Sequence, residues 1–185
     1  MLVRLVIYYK SFFEDQNMKL ICSARAGNVI GGGDWSEDRL VPDCVKSWSK
    51  NKDVILRNPS STRPWQHVFE ALSGYLFFAS KLKKNSKLHG EAFNFGPSNK
   101  TSYSVLHLVK EMKKNWEKVS WKIEKNKSKF YESHLLKLNS SKAKKKLRWK
   151  SVLTFKETSK LTSLWYKEFY LKKGNIEMLS IKHLQ

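Results

Sequence analysis

The spacing of apolar and polar positions alternates between helix period and strand period along the chain. Residues 2–13 are almost wholly apolar or aromatic and end at Phe12 and Phe13, the pattern of a buried helix, with no capping residue before it. Lys19 to Arg25 reads as a buried strand whose small and polar residues begin at Ser23. A glycine-rich loop follows, Gly27-Asn28-Val29-Ile30-Gly31-Gly32-Gly33, then a polar turn from Asp34 to Asp38. Leu40, Val41, Cys44, Val45 and Trp48 recur at helical spacing. Val54-Ile55-Leu56 is a short strand, and Asn58-Pro59-Ser60-Ser61 a turn. Pro64 suits the first turn of a helix. The stripe Val68, Ala71, Leu72, Tyr75, Leu76, Ala79 and Leu82 makes that a core helix. Lys83 to His89 is a basic connector, and Glu91 to Phe95 a strand stopped by Gly96-Pro97.

Beyond it, Ser102 or Ser104 caps a helix with the stripe Val105, Leu108, Val109 and Met112. Val119 to Ile123 alternates as an edge strand. A short helix starts at Ser140 or Ser141 and ends near Leu147, and Thr154 caps a last amphipathic helix running through Phe155, Leu161, Trp165 and Phe169. From Gly174 onward the pattern is that of a frayed tail. Short strands alternating with helices predict an α/β protein.

Composition narrows the class. Seven Trp, seven Tyr and ten Phe in 185 residues argue against disorder. No apolar run approaches the ~20 residues of a membrane span, and no small-residue cleavage site follows Met1–Tyr9. The expectation is a cytoplasmic protein with Cys22 and Cys44 as buried reduced thiols. The net charge of +20 suggests a polyanion partner. Yet the excess lies on helix-patterned stretches such as Lys110, Lys113, Lys114 and Lys118, which read as solvated faces. The basic helices keep their aromatics on the apolar side, whereas RNA binding needs aromatic platforms among the cations, so nucleic acid is disfavoured. The arginines say more. Lysine outnumbers arginine thirty to six, yet Arg25, Arg39, Arg57 and Arg63 cluster between positions 25 and 63. Arginine retained in a lysine-rich chain marks places where planar, bidentate geometry matters.

Three stretches converge on this theme: Ala24-Arg25-Ala26-Gly27-Asn28-Val29-Ile30-Gly31-Gly32-Gly33-Asp34-Trp35, Thr62-Arg63-Pro64-Trp65-Gln66-His67-Val68, and Phe93-Asn94-Phe95-Gly96-Pro97. Together with Asp38-Arg39-Leu40-Val41-Pro42-Asp43, Arg57-Asn58-Pro59 and Leu135 to Ala143, they resemble the CDP-glucose 4,6-dehydratases, extended short-chain dehydrogenases/reductases that act on a nucleotide sugar. The resemblance covers roughly residues 5–170 and implies the C-terminal part of a Rossmann-type fold. It lacks the N-terminal dinucleotide-binding half: no Gly-x-x-Gly-x-x-Gly is present, and Tyr8, Tyr9 and Lys10 do not have the Tyr-x-x-x-Lys spacing. Residues 1–35 would be a remnant of the Rossmann sheet, 36–172 mainly substrate-binding, and 173–185 a tail.

By that resemblance the reaction is the NAD-dependent conversion of CDP-glucose to its 4-dehydro-6-deoxy product plus water. NAD is the expected cofactor, with Ala26 and Gly27 the residues left to touch it. The resemblance places Arg63 on the pyrophosphate, Asn28 and Asn94 on phosphate and sugar, and Arg39 and Arg57 near the nucleotide. Each also has a plain reading: an arginine at a helix start or turn, or an amide satisfying local backbone. His67, four residues after Arg63, reads as structural, and Glu70 as orienting backbone or Arg63. Asn139 and Arg148 depart from the family's Asp and Gly. No catalytic or metal-binding residue is assigned. The expected partners are CDP-glucose or a related nucleotide sugar, and either a separate N-terminal half or a second copy of the chain. The rival reading is a non-enzymatic nucleotide-sugar or polyanion (RNA) binding protein.

Overall fold

The computed structural model describes residues 21–97, 102–124, 137–171 and 174–185. The helix expected over residues 2–13 lies outside them. Among the described residues the strands form four two-stranded ladders. Strand β1 (Ser23–Ala26) runs parallel to β6 (Ala92–Phe95), Ser23 opposite Ala92. Strand β2 (Asn28–Ile30) runs parallel to β5 (Trp65–His67). Strand β3 (Val54–Leu56) runs parallel to β8 (Trp121–Ile123), and β4 (Thr62–Arg63) antiparallel to β7 (Tyr103–Ser104). The helices are α1 (Leu40–Ser49), α2 (Val68–Lys84), α3 (Val105–Lys113), α4 (Phe155–Leu171) and α5 (Ile176–Leu184).

Several sequence expectations shift. Of the strand expected over 19–25, residues 19 and 20 lie outside the described residues; within them it runs from Ser23 to Ala26, opposite Ala92–Phe95, and ahead of it the Ile21 carbonyl accepts a hydrogen bond from the Gly90 amide. The glycine-rich stretch is not all loop. Gly27 has no Cβ, which would stand 2.7 Å from the Pro64 carbonyl oxygen, so the chain passes Pro64 in contact and resumes as β2. That pairing takes up the backbone of Trp65–His67, so Pro64 does not open a helix. Instead α2 begins at Val68, where His67 Nδ1 caps it by accepting from the Phe69 amide. His67 and Arg63 therefore do not share a helix face.

The buried side of α2 also differs from the expected stripe. Ala71, Gly74, Phe78 and Leu82 face inward, while Leu72 and Leu76 stand 47% and 73% exposed. Gly74 sets this rotation: a Cβ there would lie 2.4 Å from Phe95, so the helix lies flat on β6. Residues from Gly174 are not a frayed tail but carry α5, capped by Asn175 accepting from the Met178 amide and tied to α4 by Trp165 Nε1–H donating to Ser180 (2.9 Å). The short helix expected from Ser140 or Ser141 to near Leu147 is present, starting at Ser141, but it widens to a π-type turn over Ala143–Leu147 and ends at Arg148 in the left-handed conformation (φ 60°). Cys44 is buried as expected and Cys22 only partly, and burial pushes both thiols up from their ordinary pKa.

Other expectations are met. Helix α1 buries Val41, Cys44, Val45 and Trp48. Ser104 caps α3, and Thr154 with Glu157 forms a capping box at α4. The larger core joins α1, β3 and α3 with Trp65 and Tyr166; a second joins α2, β6, Ala143, Leu147 and Trp149.

Buried Glu70 orients backbone, accepting from the Val152 (2.8 Å) and Leu153 (2.6 Å) amides just ahead of α4. Removing it strands two donors next to the core. Glu70→Ala is expected to cost about 2 kcal/mol in a urea titration, with Glu70→Gln, which keeps an acceptor, retaining more than half of that stability. Equal losses would show that the acceptor is not what counts.

Candidate functional site

A cavity of about 830 Å³ opens where β1 gives way to β2. One wall is backbone: Ala26, Gly27 and Asn28 through Gly32. The first turn of α1 (Leu40, Val41, Pro42) and Arg39 close a second side. Arg63, Pro64 and Trp65 close a third, and Lys137 and Leu138 a fourth.

Each wall has a local cause. Arg39 is the residue before α1, in extended backbone, and its side chain makes no cap, so the helix's amide end has no side-chain acceptor. A helix N-terminus in that state favours an anion. Arg63 is held on β4 by that strand's pairing with β7, and its Nη1 donates to the Thr62 carbonyl (2.9 Å). The turn after β2 is fixed from behind. Tyr166, fully buried on α4, donates its hydroxyl to the Asp34 carbonyl (2.8 Å) and accepts from the Asp34 amide (3.0 Å). Burial raises the Tyr166 pKa well above that of a free tyrosine, which keeps that proton in place. The Asp34 carboxylate turns back to the Ser36 amide (3.0 Å).

The structure brings together Ala26, Gly27, Asn28, Arg39 and Arg63 on the cavity wall. Arg57 and Asn94 are not among its lining residues. Arg57 stands one step behind the rim, 4.0 Å from Asp38, both side chains exposed. Asn94 donates through Nδ2 to the Asn139 carbonyl (3.1 Å). Trp65 belongs to the core, whereas Trp35 is 40% exposed in a nest with Trp165, Tyr166 and Phe169. Lys137 on the wall falls in the Leu135 to Ala143 stretch, but sequence reasoning assigned it no role, since one lysine among thirty does not stand out.

The wall therefore presents three cations, Arg39, Arg63 and Lys137, and an uncapped helix end. Two carboxylates line it as well: Asp34, which accepts from the Ser36 amide, and Asp38, exposed and 4.0 Å from Arg57. Such a surface takes an anion with a polar body. No cluster of His, Cys, Asp and Glu suited to a metal occurs among the described residues, and no helix among them is long and apolar enough to cross a membrane.

Comparison with known proteins bears on the fold. No family model matches the chain. The CDP-glucose 4,6-dehydratase of Salmonella typhimurium (strain LT2) is 41% identical over 165 residues, which are 86% of this chain and 46% of that protein. A UDP-glucuronic acid 4-epimerase from Bacillus cereus, solved with UDP-glucuronic acid and NAD, superposes with a TM-score of 0.72 at 18% identity over 90% of this chain and 50% of its own. This is the C-terminal part of an extended short-chain dehydrogenase/reductase fold. The chain spans about half the length of the relatives it matches. A dTDP-glucose 4,6-dehydratase from Bacillus anthracis str. Ames, solved with NAD, shares this fold (TM-score 0.65, 17% identity, 88% of this chain and 48% of its own).

NAD is the cofactor held by those extended dehydrogenases/reductases. The described residues of this chain do not by themselves make a dinucleotide cradle. Gly27 is filled against Pro64, and a Cβ on Gly32 would fall 2.0 Å from Trp165, so these glycines serve the protein's own packing.

Proposed function

We propose that the cavity holds the nucleoside-diphosphate part of a nucleotide sugar, CDP-glucose or a close relative, as the substrate-binding portion of a 4,6-dehydratase. The observation that carries this reading is that Asn28 on β2, Arg63 on β4 and the uncapped start of α1 all line one cavity of about 830 Å³. Guanidinium pairing with phosphate oxygens is bidentate and suits a diphosphate. The 41% identity to a CDP-glucose 4,6-dehydratase supports the choice of cytidine. In this reading Ala26 and Gly27 sit where a bound NAD would approach the sugar. Hydride transfer and elimination draw on groups of the other half, so the 185-residue chain binds without converting. Arg57 acts on the nucleotide end through Asp38 and the rim.

A thermal melt tests this. CDP-glucose at 100 times its Kd raises the melting point by the equivalent of about 2.7 kcal/mol. Arg63→Ala is expected to weaken CDP-glucose ten- to a hundredfold, the loss of about 1.5–3 kcal/mol that charged hydrogen bonds carry. A full ligand-induced shift in Arg63→Ala would remove the reading. So would a shift with NAD and none with CDP-glucose.

A further inference from the structure

We infer that Lys137 is the residue that makes the cavity select a diphosphate over a monophosphate, and that Asn94 serves the site by positioning it. The inference rests on the nucleotide-sugar reading of the cavity and adds a residue to it.

Lys137 differs from the other lysines in where it is held. It lines the cavity opposite Arg39 and Arg63. Among the described residues its ammonium has no carboxylate partner, unlike Lys114, Lys122 and Lys142, which pair with Glu111, Asp53 and Glu91. The backbone just after it is clamped at successive points. Leu138 packs on Gly96 so closely that a Cβ there would lie 2.9 Å from Leu138 Cδ2. The Asn139 carbonyl accepts from Asn94 Nδ2 (3.1 Å), and the Asn139 side chain caps the Ser141 amide (2.9 Å). Lys142 then ties the segment to the Ala92 carbonyl (3.0 Å). A flexible side chain is thus mounted on a fixed base at the cavity wall. That is the economical way to place a point charge, since most of the ordering cost is met by packing.

The charges divide by chemistry. The two arginines offer planar forks, which pair with the two oxygens of one phosphoryl group. A lysine offers a compact charge without that directionality. A third cation from a separate segment adds little for a monophosphate that two guanidiniums already grip. It adds a full charge contact for the second phosphoryl group of a diphosphate. Asn94 never needs to touch the ligand for this: its amide holds the strand of chain from which Lys137 projects.

Calorimetric titration of the 185-residue chain with CDP and with CMP tests this. Wild type is expected to bind CDP at least tenfold tighter than CMP. Lys137→Met, at an exposed side chain, keeps the fold, loses about tenfold in CDP affinity and leaves CMP within twofold, so the ratio collapses. Lys137→Arg restores most of the ratio. Asn94→Ala lowers it in the same direction without removing any charge, which a purely structural amide would not do. A CDP-to-CMP ratio unchanged in Lys137→Met overturns the assignment while leaving the cavity's function standing. Wild type that melts cooperatively but binds neither CDP nor CDP-glucose overturns the nucleotide-sugar reading, and this inference with it.

Discussion

Gly32→Ala is expected to cost about 3 kcal/mol, the upper end for a methyl forced into a packed interior. For a chain of this size that is a fall of roughly 6–12 °C in melting point. The added Cβ would lie 2.0 Å from Cδ2 and 2.2 Å from Cγ of Trp165, inside any allowed contact. The indole has little freedom to retreat. It stacks on Phe169 with centroids 5.6 Å apart, meets Tyr166 edge-on at 5.2 Å, and is tethered to Ser180 of α5. Any shift of Trp165 therefore loosens α5 or disturbs Tyr166, whose hydroxyl holds the Asp34 backbone at the cavity turn. The double variant Gly32→Ala with Trp165→Leu is expected to be less destabilised than the sum of the single changes, because the smaller side chain admits the methyl. Strict additivity would show that the two residues do not meet.

Acid should weaken the fold through His67, by about 3 kcal/mol between pH 6.5 and pH 4. His67 is only 2% exposed, and burial, with the neighbouring His183 charge as a lesser cause, lowers its pKa to about 4. Its Nδ1 must stay unprotonated to accept from the Phe69 amide at the start of α2. The direction follows from proton counting. Above pH 6.5 neither folded nor unfolded chain protonates this imidazole, and it contributes no pH dependence. As the pH falls from about 6.5 to about 4 the unfolded chain takes up a proton that the folded one refuses, so stability declines. Below about 4 both states are protonated and this contribution levels off. Urea titrations at pH 7.5 and 4.5 measure it, with His67→Asn as the comparison, since asparagine caps a helix without titrating. A smaller pH dependence in the variant is the expected result. Identical slopes would exclude His67 as the source.

Much of this was legible in the sequence where one physical signal dominated. The stripe from Leu40 to Trp48, the helix cap at Thr154 and the stop at Gly96-Pro97 each read correctly, because local propensity and burial agree there. The errors came where a distant partner decided. Trp65–His67 follows a proline that suits a helix start, yet it is a strand because Asn28–Ile30 needs a neighbour. On α2 several apolar faces compete, and Gly74 against Phe95 picks one that leaves Leu76 outside. The site divides in the same way. Asn28, Arg39 and Arg63 were visible as motif residues and do line the cavity, whereas Arg57 and Asn94 stand behind it. Lys137 stood inside the stretch Leu135 to Ala143 without a role, because its clamped base, not its residue type, distinguishes it.

The strand pairings carry a consequence for how the molecule comes into being. Among the described residues each ladder joins segments dozens of residues apart, Val54–Leu56 with Trp121–Ile123 and Ser23–Ala26 with Ala92–Phe95 among them, and none is a hairpin. Such closures lose chain entropy before any contact repays it, so folding is slow and its intermediates expose strand edges. During synthesis the backbone wall at Asn28 emerges ahead of the other three and gains β5 only after Trp65 has followed. The cavity is not enclosed until Lys137 and Leu138 have left the ribosome. Until then the cavity is half a bowl, its backbone wall open to water.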